Sequence, residues 1–253
     1  MEAPPGDAFV TLYGRQPVLE ALADERIEFD KILVARNAHG DHIDEIVAAA
    51  RGRGVVLRRV EAARVTRLSR NGRHDQGVVA DVIMPGLGEL DEWLTRRLVG
   101  PLAVLLLDGV SNPANVGMII RTAAAAGLDA TVLPRAGSPD VGPLVIKASA
   151  GVALGATVLR AATPAAGARA LTDAGVTLLG LAAGTGDNLF TVALPERAAF
   201  VLGNETEGVA ETVASHVTQW VSLPMAEGVD SLNVASAAAV VTYELVRRRT
   251  SVG

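Results

Sequence analysis

The chain contains no cysteine. Disulfide bridges, thiolate metal sites and a cysteine nucleophile are all excluded. Aromatic residues make up only 3% of the 253 positions, so a core drawn from the 49% hydrophobic residues must be filled by alanine, valine and leucine. No apolar run reaches the roughly 18 to 20 residues that span a bilayer. The first seven residues, Met1 to Asp7, lack the charged-then-apolar pattern of a secretory signal. These absences fit a cytoplasmic protein with no membrane partner. Lysine is scarce too: Lys31 and Lys147 are the only two, and arginine carries nearly all the positive charge. There is no Gly-x-x-x-x-Gly-Lys phosphate loop and no Gly-x-Ser-x-Gly elbow. Gly184-Thr185-Gly186 is a lone Gly-x-Gly without a third glycine. His39 and His42 stand three apart with no further clustered histidine, so no metal site is expected.

The charge that is present is unevenly spread. The net value is −5, and residues 1–50 hold four basic and ten acidic side chains. Residues 51–73 hold eight arginines (51, 53, 58, 59, 64, 67, 70 and 73) against one acid, Glu61. Such a stretch attracts phosphate whatever the overall sign, because screening limits each charge's reach to about 8–10 Å. A solvated surface in an arginine-rich chain would give the same pattern.

Two regions differ in character. Residues 8–24 read as a short element followed by a helix, 31–35 as a buried strand, 41–53 as a helix, and 55–60 and 77–82 as strands. This makes a small α/β unit over residues 1–83. Residues 84–100, with Pro85-Gly86-Leu87-Gly88, read as a linker. From 101 to 253 the pattern becomes continuous apolar runs, at 102–107, 129–133, 154–159, 176–181, 198–202 and 217–223, with helical stretches between several of them. Strands buried on both faces read in this way, so the expected fold is α/β, a mostly parallel sheet with helices on both faces. A last helix is expected from about Ser231 to Arg248.

Polar residues follow three of these runs. Asp108-Gly109-Val110-Ser111-Asn112-Pro113 leads into a helix, with Ser111 or Asn112 as cap and Pro113 in the first turn. Val116, Ile119, Ile120 and Ala123 form its buried stripe, and Asn115 lies off that stripe. Gly117 and Arg121 stack on one face, the glycine leaving room for a ligand or another backbone. The second segment, Gly203-Asn204-Glu205-Thr206-Glu207-Gly208, has glycines at both ends, which permit a tight loop that a ligand can approach closely. In the third, Leu223-Pro224-Met225 ends a strand, and Ser231 and Asn233 open the last helix, with Ser231 as its candidate cap.

In this order and spacing the three segments resemble the SpoU (TrmH-like) family of RNA 2′-O-methyltransferases, over about residues 101–249. Residues 8–83 are similar to the substrate-binding domain that precedes the catalytic domain in ribosomal-RNA members, a relative of ribosomal protein L30e. Tyr13-Gly14-Arg15-Gln16-Pro17-Val18 and His74-Asp75-Gln76-Gly77 carry that likeness, the second with one residue more than the usual His-Gln-Gly. The resemblance implies a C-terminal trefoil knot, bound S-adenosylmethionine and a homodimer. It implies donor contacts at Leu181, Gly203, Leu223, Met225 and Leu232, and a reacting centre of Arg121, Asn115, Glu205, Ser231 and Asn233. RNA contacts are expected from Arg15, Arg51, Arg53, Arg58, Arg59, Arg70 and Arg73.

The implied chemistry is displacement by a ribose 2′-oxygen on a sulfonium methyl, with no metal. Arg121 then acts either as base or as electrostatic stabiliser. A guanidinium deprotonates only above about pH 12, which weighs toward the second role. Family enzymes acting on guanosine in transfer RNA usually lack the front domain, so 23S ribosomal RNA is the expected substrate, in housekeeping or in antibiotic resistance. The alternatives are a transfer-RNA guanosine methyltransferase and a non-catalytic RNA-binding protein on the same scaffold. An unrelated nucleotide-dependent α/β enzyme has only Gly184-Thr185-Gly186 in its favour.

Overall fold

The computed structural model describes residues 9–97, 99–182, 184–204 and 206–250. Glu205, one of the expected reacting-centre residues, lies outside the described residues. The chain divides into two compact units, one running to Pro85 and including Val141–Pro143, the other holding the rest.

The first unit contains β1 (Phe9–Tyr13), α1 (Arg15–Ala23), β2 (Phe29–Ala35), α2 (Asp41–Gly52), β3 (Leu57–Val60), α3 (Ala62–Ser69) and β4 (Val78–Ile83). Its sheet has the order β1-β4-β2-β3. β4 pairs antiparallel with both neighbours, and β2 with β3 is parallel. Ile32, Val34, Val78 and Ala80 are fully buried and fix its register. In α2, Asp41 and Asp44 sit in the first turn and Arg51 in the last, each complementing the helix dipole. α3 buries only Val65 and Ser69, too few to show a helical stripe.

The second unit is built on eight strands in the order β10-β12-β9-β11-β6-β7-β8-β5, and every pairing is parallel. The strands are β5 (Leu87–Glu89), β6 (Leu102–Leu107), β7 (Ala130–Val132), β8 (Val158–Arg160), β9 (Thr177–Ala182), β10 (Asp187–Asn188), β11 (Arg197–Leu202) and β12 (Gln219–Ser222). The helices are α4 (Leu90–Thr95), α5 (Pro113–Ala125), α6 (Pro143–Ala148), α7 (Pro164–Asp173), α8 (Glu211–Ala214) and α9 (Val234–Thr250). Leu102, Val104 and Leu106 point into one apolar cluster with Leu171, Val201 and Val213, beneath α4, α7 and α8. Ala103, Leu105 and Leu107 are buried as well, on the face where α5 and α9 pack on each other. Each such leucine contributes about 1.5–3 kcal/mol by burial. The mostly parallel, doubly covered sheet expected from the sequence is thus present.

Several boundaries differ from expectation. The stretch 84–100 carries β5 and α4, and β5 pairs with β8, so most of that stretch is an integral part of the second unit. The apolar run at 154–159 begins in a 3-10 turn, Val152–Leu154, and becomes strand only at Val158. The last helix begins at Val234, not Ser231, because Asn233 caps it: its Oδ1 accepts from the Ala235 and Ser236 amides at 2.9 and 3.4 Å. Among the described residues no helix is long and apolar enough to cross a membrane.

Candidate active site

Four neighbouring strands, β12, β9, β11 and β6, run in one direction and stop in line. Partner positions near their ends are Leu107 with Leu202, Gly180 with Val201, and Ala182 with Ser222. The turns leaving these strands therefore meet along one edge, where open parallel sheets place ligands. A cavity of about 380 Å³ opens there. All five positions expected to touch a donor line it: Leu181 in β9, Gly203 after β11, and Leu223, Met225 and Leu232 between β12 and α9. Asn204, Thr206, Glu207, Asp230 and Ser231 supply its polar part.

The loop after β11 is held by its own backbone. Asn204 and Gly208 exchange two hydrogen bonds of 2.9 Å. The Asn204 side chain accepts from the Thr206 amide at 2.7 Å and donates to the Gly109 carbonyl at 3.1 Å. A Cβ on Gly203 would collide with the backbone of Gly208. Gly203 is thus needed first for the loop to close on itself, and only then for approach by a ligand. From the turn after β6, the buried Asp108 carboxylate accepts the Ala210 amide at 2.7 Å. Burial pushes this carboxyl up, and the Ala210 hydrogen bond pulls it back in part.

The helix α5 starts as the sequence predicts, with Asn112 accepting from the Ala114 amide at 2.9 Å and Pro113 in the first turn. Gly117 admits another backbone: a Cβ there would lie 2.5 Å from the Val145 carbonyl and 2.6 Å from Ala148 Cβ. Asn115, expected off the buried stripe, is only 6% exposed. Its Oδ1 accepts from Asn233 Nδ2 at 3.2 Å, joining the first turn of α5 to the start of α9. Two expected site residues, 118 positions apart, are thereby brought into contact. Ser231 reaches the cavity, whereas Arg121 is exposed on α5, is not part of the cavity wall and makes no ion pair among the described residues. Gly186, from the lone Gly-x-Gly, is a packing residue: a Cβ there would lie 2.6 Å from the Trp220 carbonyl oxygen.

In the first unit the expected RNA-contacting arginines divide. Arg53 is not free to meet phosphate, because its guanidinium donates to the carbonyls of Ala21, Leu22, Asp24 and Ile27 at 2.6–3.3 Å, closing the end of α1. Arg59 donates to Ala35 and Ala38 carbonyls at 3.1 and 2.6 Å. Arg15 is braced on Gln76, its amide to Oε1 at 3.0 Å and its Nε to the carbonyl at 3.2 Å. Arg51, Arg58, Arg70 and Arg73 are exposed. The additional residue after His74, Asp75, is a buried anchor that accepts from Thr66, Ser69 and the Gly77 amide at 2.9–3.2 Å.

The geometry is that of an α/β protein with an all-parallel sheet and a mostly apolar cavity at its strand ends, beside a self-bonded glycine loop and a paired asparagine bridge. The family model described as "SpoU rRNA Methylase family" matches residues 102–243, and that described as "RNA 2'-O ribose methyltransferase substrate binding" matches residues 11–86. The chain belongs to the SpoU rRNA methylase family. It is 34% identical over 241 residues to the 23S rRNA (guanosine-2'-O-)-methyltransferase RlmB of Xanthomonas axonopodis pv. citri (strain 306), covering 94% of this chain and 96% of that one. The "Uncharacterized tRNA/rRNA methyltransferase" of Mycobacterium tuberculosis (strain ATCC 25177 / H37Ra) is 33% identical over 245 residues, covering 96% of this chain and 76% of the other. Among solved structures, the SpoU methyltransferase AviRb from Streptomyces viridochromogenes in complex with AdoMet superposes with a TM-score of 0.62 at 26% identity, over 96% of this chain and 91% of that one.

Proposed function

We propose that this protein transfers a methyl group from S-adenosylmethionine to a ribose 2′-hydroxyl of 23S ribosomal RNA. The observation that carries the reading is the cavity at the ends of β9, β11 and β12, lined by all five residues expected to hold the donor. Its volume of about 380 Å³ falls within the range of about 300–1,000 Å³ usual for small-molecule sites. Leu181, Leu223 and Leu232 offer apolar walls for a flat base, while Glu207 and Asp230 put negative charge near a cationic donor. The residues present therefore fit S-adenosylmethionine, which when bound supplies an electrophilic methyl on a sulfonium. The AviRb structure with AdoMet and the naming of the Xanthomonas relative support the same reading.

The chain's own residues supply alignment and charge. In this reading the Asn115–Asn233 bridge faces the sugar, and Ser231 offers a hydroxyl from the cavity wall. Arg121 presents a guanidinium that attracts the phosphate next to the target ribose and steadies negative charge developing on the 2′-oxygen. Glu205 belongs to this reading as the acid that orients Arg121 or Asn115. A 2′-hydroxyl nucleophile restricts the substrate to RNA. The reading also includes a C-terminal trefoil knot and a homodimer working in the cytoplasm. Exposed Met118 on α5 and Tyr243 on α9, two helices packed together, favour the dimer. The front unit, with exposed Arg51, Arg58, Arg70 and Arg73, carries RNA binding.

Calorimetry and methyl transfer together test this. Wild type binds S-adenosylmethionine, and Arg121→Ala keeps that affinity within about twofold while transfer falls by about 100-fold or more, the usual loss when an oxyanion-stabilising group is removed. Transfer by Arg121→Ala at near wild-type rate removes Arg121 from the reacting centre. Failure of the wild type to bind the donor ends the reading.

A further inference from the structure

Two buried side-chain atoms lack a hydrogen-bond partner among the described residues, Ser138 Oγ and Arg160 Nη1, and the segments that carry them run side by side. Buried polar groups are otherwise almost always satisfied, so such a pair asks for a partner. Arg160 ends β8, and the segment 135–140 runs beside it, with the Arg135 and Ala136 amides donating to the Ala161 and Ala162 carbonyls at 2.9 and 3.2 Å. Arg160 is 7% exposed, yet its one ion-pair partner, Asp140, is 83% exposed, at 2.9 Å through Nη2. The neighbouring charges are Arg135 and Glu89, which pair with each other in two hydrogen bonds. Gly137 of the same segment lies against Gly109, the turn that leaves β6 for α5: a Cβ on Gly137 would be 3.5 Å from Gly109 Cα. The cluster therefore sits on the strand-end edge that also bears the donor cavity.

We propose that Arg160 and Ser138 form a binding site for a phosphodiester group of the RNA, with Asp140 standing in for that phosphate while RNA is absent. This rests on the RNA-methyltransferase reading and extends it to a substrate contact. A guanidinium N–H and a hydroxyl are both donors suited to phosphate oxygens. Asp140 is almost wholly in solvent and free to move, and the incoming anion replaces its charge on the buried guanidinium, so Arg160 is not left unpaired, while the two unpartnered donors gain an acceptor. Arg135 keeps its bond to Glu89, so that pair stays net neutral and the added charge comes from Arg160 alone.

The test uses variants that leave the fold intact, since emptying the buried Arg160 position would not. Asp140→Asn removes the competing charge, Ser138→Ala removes one donor, and Asp173→Asn, an exposed acid at the far end of α7, controls for charge in general. Binding to in vitro-transcribed 23S ribosomal RNA is read by anisotropy across a salt series, and donor binding by calorimetry. Asp140→Asn should tighten RNA binding about three- to tenfold and steepen the salt slope by about one. Ser138→Ala should weaken it about threefold, the size expected for one hydrogen bond. Asp173→Asn should do neither, and donor affinity should stay unchanged in all three. An Asp140→Asn effect no larger than that of Asp173→Asn overturns the site. So does a silent Ser138→Ala, which means that a buried water alone satisfies the pair. A wild type that methylates the transcript while these variants fail to respond overturns this site only. A wild type that neither binds nor methylates it overturns the functional reading and this site with it.

Discussion

At the scale of single residues, the site is held by side chains that bond to backbone. Asp108 is the clearest. It is 5% exposed and ties the turn after β6 to the Ala210 amide, 102 positions away. Asp108→Ala removes the acceptor from the amide of exposed Ala210, where water can take its place, and should cost about 0.5–1.5 kcal/mol, the net worth of one hydrogen bond. Asp108→Asn retains an acceptor oxygen and should cost much less. Because burial raises this carboxyl above its ordinary value, the folded protein takes up a proton at Asp108 before the unfolded chain does. Its charged form thus detracts from stability above the raised pKa, and Asp108→Asn should remove that contribution. Denaturant titrations of both variants from pH 4 to pH 7 check this. Equal loss in both would mean that the carboxylate charge, and not the acceptor, is what matters. The same distinction separates Arg53 from its neighbours: a residue type suited to phosphate is taken up by five carbonyls at and just beyond the end of α1.

At the scale of elements, α9 carries both ends of the argument. Its first turn, capped by Asn233, delivers the bridge to Asn115. Its last turns are fastened through Glu244, 5% exposed, which accepts from Arg247 at 2.8 Å and from Arg248 at 2.6 Å, while Arg248 also donates to the Val192 and Leu189 carbonyls. The Arg247 guanidinium, with Arg248 helping against burial, holds the Glu244 carboxyl down at about 2 from an ordinary 4.5. A depressed carboxylate stabilises the fold fully above the ordinary value and loses that contribution as pH falls from there toward the folded value. Glu244→Gln should cost about 1–3 kcal/mol at neutral pH, lowering Tm by about 2–10 °C. It should also flatten the pH dependence of Tm between about pH 5 and 3. A Tm profile with the wild-type slope in that window would contradict this role.

How much was legible in the sequence also depends on the element. The long strands β6, β9 and β11 announced themselves, since a strand covered on both faces must be apolar throughout. Short β5 and β10, of three and two residues, carry too little pattern to be seen, and the glycine-proline punctuation around β5 looked like a linker. Asn115 could be singled out by residue type, but its burial could not be foreseen. The group that covers it arrives from the start of α9, and no local periodicity encodes that contact. Ser231 was the natural cap by position. Asn233 prevailed because its side chain reaches two amides at once.

At the scale of the whole molecule, the two units differ in charge character. The front unit gathers exposed arginines over 51–73, and the larger unit offers the cavity and the asparagine bridge. The measurement that tests this most directly is mass mapping of 23S ribosomal RNA incubated with the protein and isotopically labelled S-adenosylmethionine. The account predicts label on the ribose 2′-oxygen of one nucleotide, lost when that position is 2′-deoxy. Label on a base, or on transfer RNA alone, would contradict it.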